Sequence, residues 1–232
     1  MRCGLFGKLS AKRDFIALAT PHSFLKVWEP WIQACMSASR HQLAAEWQNA
    51  FLTAPVWRFW LGADICGATV LGAMMPSVDG VGRYYPLALL TMADPSYCIP
   101  PPDQDTQEQW FAAAETFLLS TLDQAKSFDD ISTALDAMPL PQIAARADNP
   151  ANTFAISETI RGIVTAGTTF EDSLPLLRQS HPDASAAASF WWTEGGGSFP
   201  PMALCSRGMP DPSRCSVMLT GPLGVDAIEQ PS

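Results

Sequence analysis

Basic runs are absent from this 232-residue sequence, and the overall balance is acidic: 14 Lys and Arg stand against 23 Asp and Glu, a net charge of −9. Nucleic-acid backbones and anionic membrane surfaces are held by clustered Lys and Arg, so neither is an expected partner. Histidine is scarce, with only His22, His41 and His181, and the six cysteines contain no Cys-x-x-Cys pair. Zinc sites draw on closely spaced ligand pairs, so no metal is expected. Cys3, Cys35, Cys66, Cys98, Cys205 and Cys215 read instead as reduced, mostly buried thiols of a reducing compartment. Long apolar runs are missing too. Lys8, Lys12 and Arg13 break the N-terminal stretch before it could serve as a signal peptide. The longest apolar region, Val56 to Pro76, is interrupted by Arg58 and Asp64, whereas a membrane span needs about 20 mostly apolar residues. A cytoplasmic protein with no membrane insertion is the expectation.

Signatures of catalysis are equally sparse. No Gly-x-Ser-x-Gly elbow occurs. "GLFGK" at the N-terminus lacks the spacing of a phosphate-binding loop, and Gly195–Gly197 has no lysine after it, so both read as turn glycines. Asp129 with Asp130, and Glu171 with Asp172, are adjacent; neighbours on a helix point in different directions and read as solvated charge or caps. No cofactor is implied. A Ser–His or Cys–His pair that meets only in space stays open, because sequence spacing does not reveal one.

What is abundant is apolar. The chain is 47% hydrophobic, with eight Trp and twelve Phe, enough for one large domain or two small ones. Twenty prolines argue for short elements and ordered loops rather than a helical bundle. Residues 3–8 read as a strand, with 14–18 continuing after a turn. Phe24, Leu25, Trp28, Trp31, Ile32, Cys35 and Met36 recur at helical spacing over 22–39. There Thr20 is the expected cap, Pro21 the first helical position, and Pro30 a kink or break. A second helix is expected over 41–53, and strands over 56–62, 69–78 and 83–92. "DGVG" suits a tight hairpin between the last two, making an antiparallel meander. Pro76 and Pro86 belong at strand ends, bulges or edges, since proline cannot donate to the ladder. After a linker at 98–107, a helix capped by Asp105 or Thr106, with Thr106 and Gln109 as a capping box, aligns Trp110, Phe111, Ala114, Phe117, Leu118, Thr121, Leu122 and Ala125 on its core face. A shorter helix follows at 128–138. Residues 139–187 are weakly patterned. Residues 188–198 and 202–208 read as a hairpin before a short closing helix.

Within the meander, "PSVDGVGRYYPL" carries Ser77, Asp79, Gly80, Arg83 and Tyr84. Asp79 suits bonding to backbone amides, and Arg83 can clamp it across the turn.

The same stretch resembles the signature of the TagF family, also called ImpM, accessory proteins of bacterial type VI secretion. "GLFGKLSAKRDF" resembles the family's opening motif, "FLKVWEPWIQ" its tryptophan helix, "APVWRFWL" its next strand and "SFWWTEGG" its late aromatic strand; "GMP" at 208–210 also fits. The resemblance runs in order from residue 4 to about 219. It implies an α/β (α+β) fold, a mainly antiparallel sheet flanked by helices with a longin-like core, in agreement with the meander and amphipathic helices. The chain departs from the family at Ser10, where proline is usual, Arg13, where glycine is usual, and Gly80, where a basic residue is usual.

The resemblance further implies a non-enzymatic, post-translational repressor that binds a type VI component, such as the forkhead-associated scaffold. The expected partner surface is Ser77, Asp79, Gly80, Arg83 and Tyr84, joined by Lys8 and Asp14 from the first turn. Trp191 and Trp192 alternate across a strand, one toward the core and one available outward. The alternatives are a small hydrolase or phosphatase-like enzyme built on Ser77, Asp79 and Arg83, and a structural subunit of the apparatus. A single domain over 1–221 is expected, with a core to about 140, an extension over 141–221 and a disordered tail over 222–232.

Overall fold

Strand β1 (Cys3–Gly7) turns back into β2 (Ile16–Leu18), and helices α1 (His22–Leu43) and α2 (Trp47–Thr53) follow. Next come β3 (Trp57–Leu61), a single helical turn α3 (Ala63–Cys66), β4 (Val70–Met75) and β5 (Leu87–Met92). Helices α4 (Glu108–Ser120) and α5 (Phe128–Asp136) come after them. Two short ribbons are formed by β6 (Tyr97–Cys98) with β7 (Ala144–Ala145) and by β8 (Thr153–Ala155) with β9 (Arg161–Ile163). A hairpin of β10 (Ala188–Thr193) and β11 (Met202–Arg207) precedes the last helical turn, α6 (Val217–Thr220). The structure, a computed structural model, describes residues 1–94, 96–145, 153–155, 161–163, 169, 173, 175, 177–178 and 182–222. His181, Glu171, Asp172, most of 139–187 and positions 223–232 of the tail lie outside them.

Seven strands make one antiparallel sheet in the order β11-β10-β3-β4-β5-β1-β2. Its middle strands read as near-continuous apolar runs, WRFWL, VLGAMM and LALLTM, and are almost wholly buried. The reason is that both faces are covered, so neither set of alternating side chains meets water. Leu5, Trp60, Leu71 and Leu89 pack on one face against Trp110, Phe111 and Phe117 of α4 and Ile131 of α5. Phe6, Phe59, Val70 and Leu90 pack on the other against Phe24, Trp28, Trp31 and Ile32 of α1. Each fully buried large apolar side chain contributes about 1.5–3 kcal/mol, well above the typical exposed ion pair, so these two clusters determine the fold.

Several expectations are corrected. Helix α1 runs unbroken through Pro30 to Leu43; Pro30 removes one donor, but Trp28, Trp31, Ile32 and Cys35 fix the turns on either side of it to the sheet. Thr20 does not cap α1. Its hydroxyl donates to the carbonyls of Leu5 and Leu18, and Pro21 takes the cap position with no side-chain bond. The second helix is divided by a 3-10 turn at Ala44–Glu46, so α2 begins only at Trp47. At α4 the Asp105 carboxylate accepts from the Gln107 N–H, Gln107 sits at φ 54°, and the capping box appears instead at α5, between Ser127 and Asp130. Because α4 ends at Ser120, Leu122 falls outside its core face and is 54% exposed. The two prolines do fall at strand ends as expected: Pro76 directly follows β4 and Pro86 directly precedes β5, where no ladder donor is required. No helix among the described residues is long and apolar enough to cross a membrane.

The expectation of six thiols also fails. Cys35 of α1 and Cys215, 180 residues apart in sequence, are joined as a disulfide with Cα atoms 5.3 Å apart. Sequence spacing does not reveal a pairing that tertiary packing creates. Burial pushes the Cys3 thiol up to about 11 and Cys66 up to about 12, which keeps both inert. We expect the oxidised protein, denatured without reductant, to take up four equivalents of iodoacetamide by mass, and six after reduction, since four cysteines carry no disulfide; six in both cases would contradict the Cys35–Cys215 link.

Candidate partner-binding site

The segment between β4 and β5 is wider than a tight Asp-Gly turn. An isolated bridge pairs Val78 with Tyr84, the Asp79 N–H donates to the Arg83 carbonyl at 3.1 Å, and the Gly82 N–H donates to the Asp79 carbonyl at 3.0 Å. Gly82 takes φ +84°, a conformation glycine adopts without cost. Around this frame the Asp79 carboxylate collects four donors. One oxygen accepts the N–H groups of Val81 (3.0 Å) and Arg83 (2.9 Å). The other accepts Lys8 Nζ and Arg83 Nε, each at 2.7 Å.

Lys8 is delivered by β1. Gly7, at φ +134°, turns the chain there, and a Cβ on it would come within 2.1 Å of the Pro86 carbonyl. The Lys8 ammonium also lies over the Phe15 ring, 5.1 Å from its centre, and the Lys8 carbonyl accepts the Ser77 hydroxyl at 2.8 Å. The Lys8 and Asp79 side chains are almost wholly buried, whereas Arg83 is 57% exposed. Burial works to raise the Asp79 carboxyl, but the Lys8 ammonium, Arg83 and the loop amides more than offset it and hold the group well below the usual carboxylate range.

These positions sort the expected surface residues. Ser77, Asp79 and Lys8 are inside, joining the β1–β2 turn to the β4–β5 loop. Asp14 and Gly80 are exposed. Arg83 lies at the surface, and its Nη2 donates to the Arg13 carbonyl. Tyr84 is half-buried, packing edge-on against Trp47 and Phe51 with its hydroxyl accepting from Gln48. Trp191 is buried in the aromatic cluster of Trp28, Trp31 and Phe59. Trp192 does not face outward either: it is half-buried and packs edge-on against Phe111 on the opposite face of the sheet.

Gly80 N–H donates to the Lys12 carbonyl, and a Cβ there would sit 3.1 Å from the Ser10 carbonyl oxygen. A larger residue at 80 therefore presses on the first turn, whose two family departures, Ser10 and Arg13, adjoin it. Residue reasoning missed Phe15 and Val81, both more than half exposed at this tip. An apolar residue inside a polar turn was the available signal. Phe15 shares a shallow depression of about 360 Å³ with Lys12, Arg13, Asp14 and Phe128. Chemically, Ser77 gives its proton to a backbone carbonyl rather than to a base, and the described residues hold no group of three metal-ligating side chains.

The stabilisation from Asp79 is complete above the ordinary carboxylate pKa of about 4 and fades as pH falls below it, because the folded carboxyl titrates lower than the unfolded one. Lys8→Met is expected to lower the neutral-pH melting temperature by roughly 5–10 °C and to start acid unfolding at higher pH, measured by circular dichroism melts across a pH series. An unchanged acid limb would show that the pair carries no such linkage.

Three comparisons bear on this geometry. The model of the family described as the TagF N-terminal domain, type VI secretion system-associated, matches residues 4–138, more than half of the chain. A crystal structure of PA0076 from Pseudomonas aeruginosa PAO1 is similar to the chain with a TM-score of 0.79 and 29% sequence identity, covering 94% of each. No curated protein matches.

Proposed function

The chain belongs to the TagF family of type VI secretion system-associated proteins, and from that premise we propose that it is a post-translational negative regulator of the system, acting in the cytoplasm by binding a protein component. The forkhead-associated scaffold is the partner that the family resemblance suggests. One observation carries the reading: the buried Lys8–Asp79 pair holds two turns together so that Arg83, Val81, Phe15 and Arg13 form a single exposed tip. A tip fixed in advance loses little freedom on docking, and exposed aromatic, aliphatic and Arg side chains are the residue types that anchor interfaces. The residues of the expected surface then divide the work. Arg83 touches the partner, Gly80 and Asp14 border it, and Asp79, Lys8, Ser77 and Tyr84 hold the tip in place.

The hydrolase alternative gains nothing from the geometry, since Ser77 is buried and its hydroxyl is engaged. Val81→Asp combined with Arg13→Glu alters two exposed positions and leaves the clamp intact. This variant is expected to fold normally, to lose about tenfold in affinity for the scaffold in a pull-down titration, and to release secretion of a type VI substrate in cells. Repression and binding equal to those of the unaltered chain would overturn the proposal.

A further inference from the structure

A second surface adjoins the base of that tip, where Ser10 and Ser77 line it, and extends away from the tip's exposed side chains. Leu52 near the end of α2, Leu119 in the last turn of α4 and Leu122 just beyond it are each about half exposed, and all three line one groove of about 570 Å³. Val56, Met75 and Val78 also line it, and Glu115 and Glu194 add carboxylates. None of Lys12, Arg13, Phe15 and Val81 lines it.

The charge at its edge is unbalanced. Arg58, on the buried middle strand β3, is the shared partner of Glu115 (2.6 Å), Glu108 (3.1 Å) and Glu194 (3.4 Å). One guanidinium against three carboxylates leaves a local excess of two negative charges, in a chain already at −9. Glu194, more than half exposed, lines the groove with the leucines, whereas Glu108, equally exposed, adds its charge at the far end of α4, beyond the groove lining.

The geometry points to this groove as a docking site for a basic amphipathic helix of a protein partner. Such a helix lays apolar side chains along an apolar groove, while its Lys and Arg meet the acidic edge and are steered toward it. An acidic helix with the same apolar face would be repelled. The site goes beyond the regulator reading and does not use the tip's exposed residues Arg13, Phe15, Val81 and Arg83.

Two synthetic helices with one shared leucine face, one carrying Lys and the other Glu on the polar face, test it by calorimetry and by leucine-methyl spectra of the full chain. The Lys helix is expected to bind, to weaken as salt rises, and to shift the methyl signals of Leu52, Leu119 and Leu122; the Glu helix should bind at least about tenfold more weakly. Leu119→Asp with Leu122→Ser changes only exposed positions and should cost the Lys helix about tenfold, Glu194→Gln a smaller factor, and Val81→Asp nothing. Equal affinity for the two helices, no binding of the Lys helix, indifference to the Leu119 and Leu122 changes, or a dimer of this chain closed through the groove would each overturn the proposal. Because Val81→Asp spares this site and the leucine changes spare the tip, failure here is distinguishable from failure of the regulator reading.

Discussion

A carboxylate buried beside an ammonium survives only where every lone pair and proton finds a partner, since two desolvated charges otherwise cost more than their attraction returns. Asp79 meets that condition with four donors, and Lys8 with a carboxylate and an aromatic face. The consequence is topological. Lys8 directly follows β1 and Asp79 lies between β4 and β5, so the pair locks the β1–β2 turn onto the loop that introduces β5. The neighbouring details serve the same junction. Gly7 lets the backbone pass close to Pro86, and Ser77 satisfies the Lys8 carbonyl. Phe15 in turn stacks edge-on against Tyr85 at 4.7 Å. Removing the pair would leave each of these contacts with nothing to register it.

Arg58 solves the same problem differently. It sits in the middle of the sheet and is covered by Phe111, whose ring centre is 5.2 Å away. Burial works against its charge, yet hydrogen bonds and proximity to Glu115 and then Glu108 leave the guanidinium more firmly protonated than usual. Lys8 is matched by one buried acid; Arg58 is reached by several acids that remain partly in water. The first arrangement leaves exposed cations, Arg83 and Arg13, at the tip. The second leaves exposed anions beside the groove. Two surfaces of opposite sign in an acidic chain therefore follow from how two buried cations are compensated.

Much of the fold was legible because it rests on short-range pattern. WRFWL, VLGAMM and LALLTM announced buried strands, the two prolines marked where β4 and β5 stop and start, and the spaced motifs located the loop. What stayed hidden depends on distance in sequence. Lys8 and Asp79 meet across 71 residues and Cys35 and Cys215 across 180. Nothing local told Pro30 that the residues on both sides of it would be held by a sheet. The site was harder to read than the fold for a further reason: polar residues in a loop are assumed to face water. Asp79, Ser77 and Lys8 break that assumption, and Val81 and Phe15 break its converse.

The family match stops at residue 138, yet the sheet does not. Strand β10 hydrogen-bonds to β3 through Ser189–Trp192, and Trp191 completes the stack of Trp28, Trp31 and Phe59. Without that hairpin, β3 would become an exposed edge of apolar residues, a ready template for pairing with another chain. The same strand leads into Glu194, the third acid facing Arg58. The C-terminal hairpin thus does two things at once, closing the sheet and adding charge to the acidic groove. The tip, by contrast, is built wholly from residues inside the matched region. Of the two surfaces, then, the tip is the one the matched region can present unaided, and the groove is complete only when the later hairpin is in place.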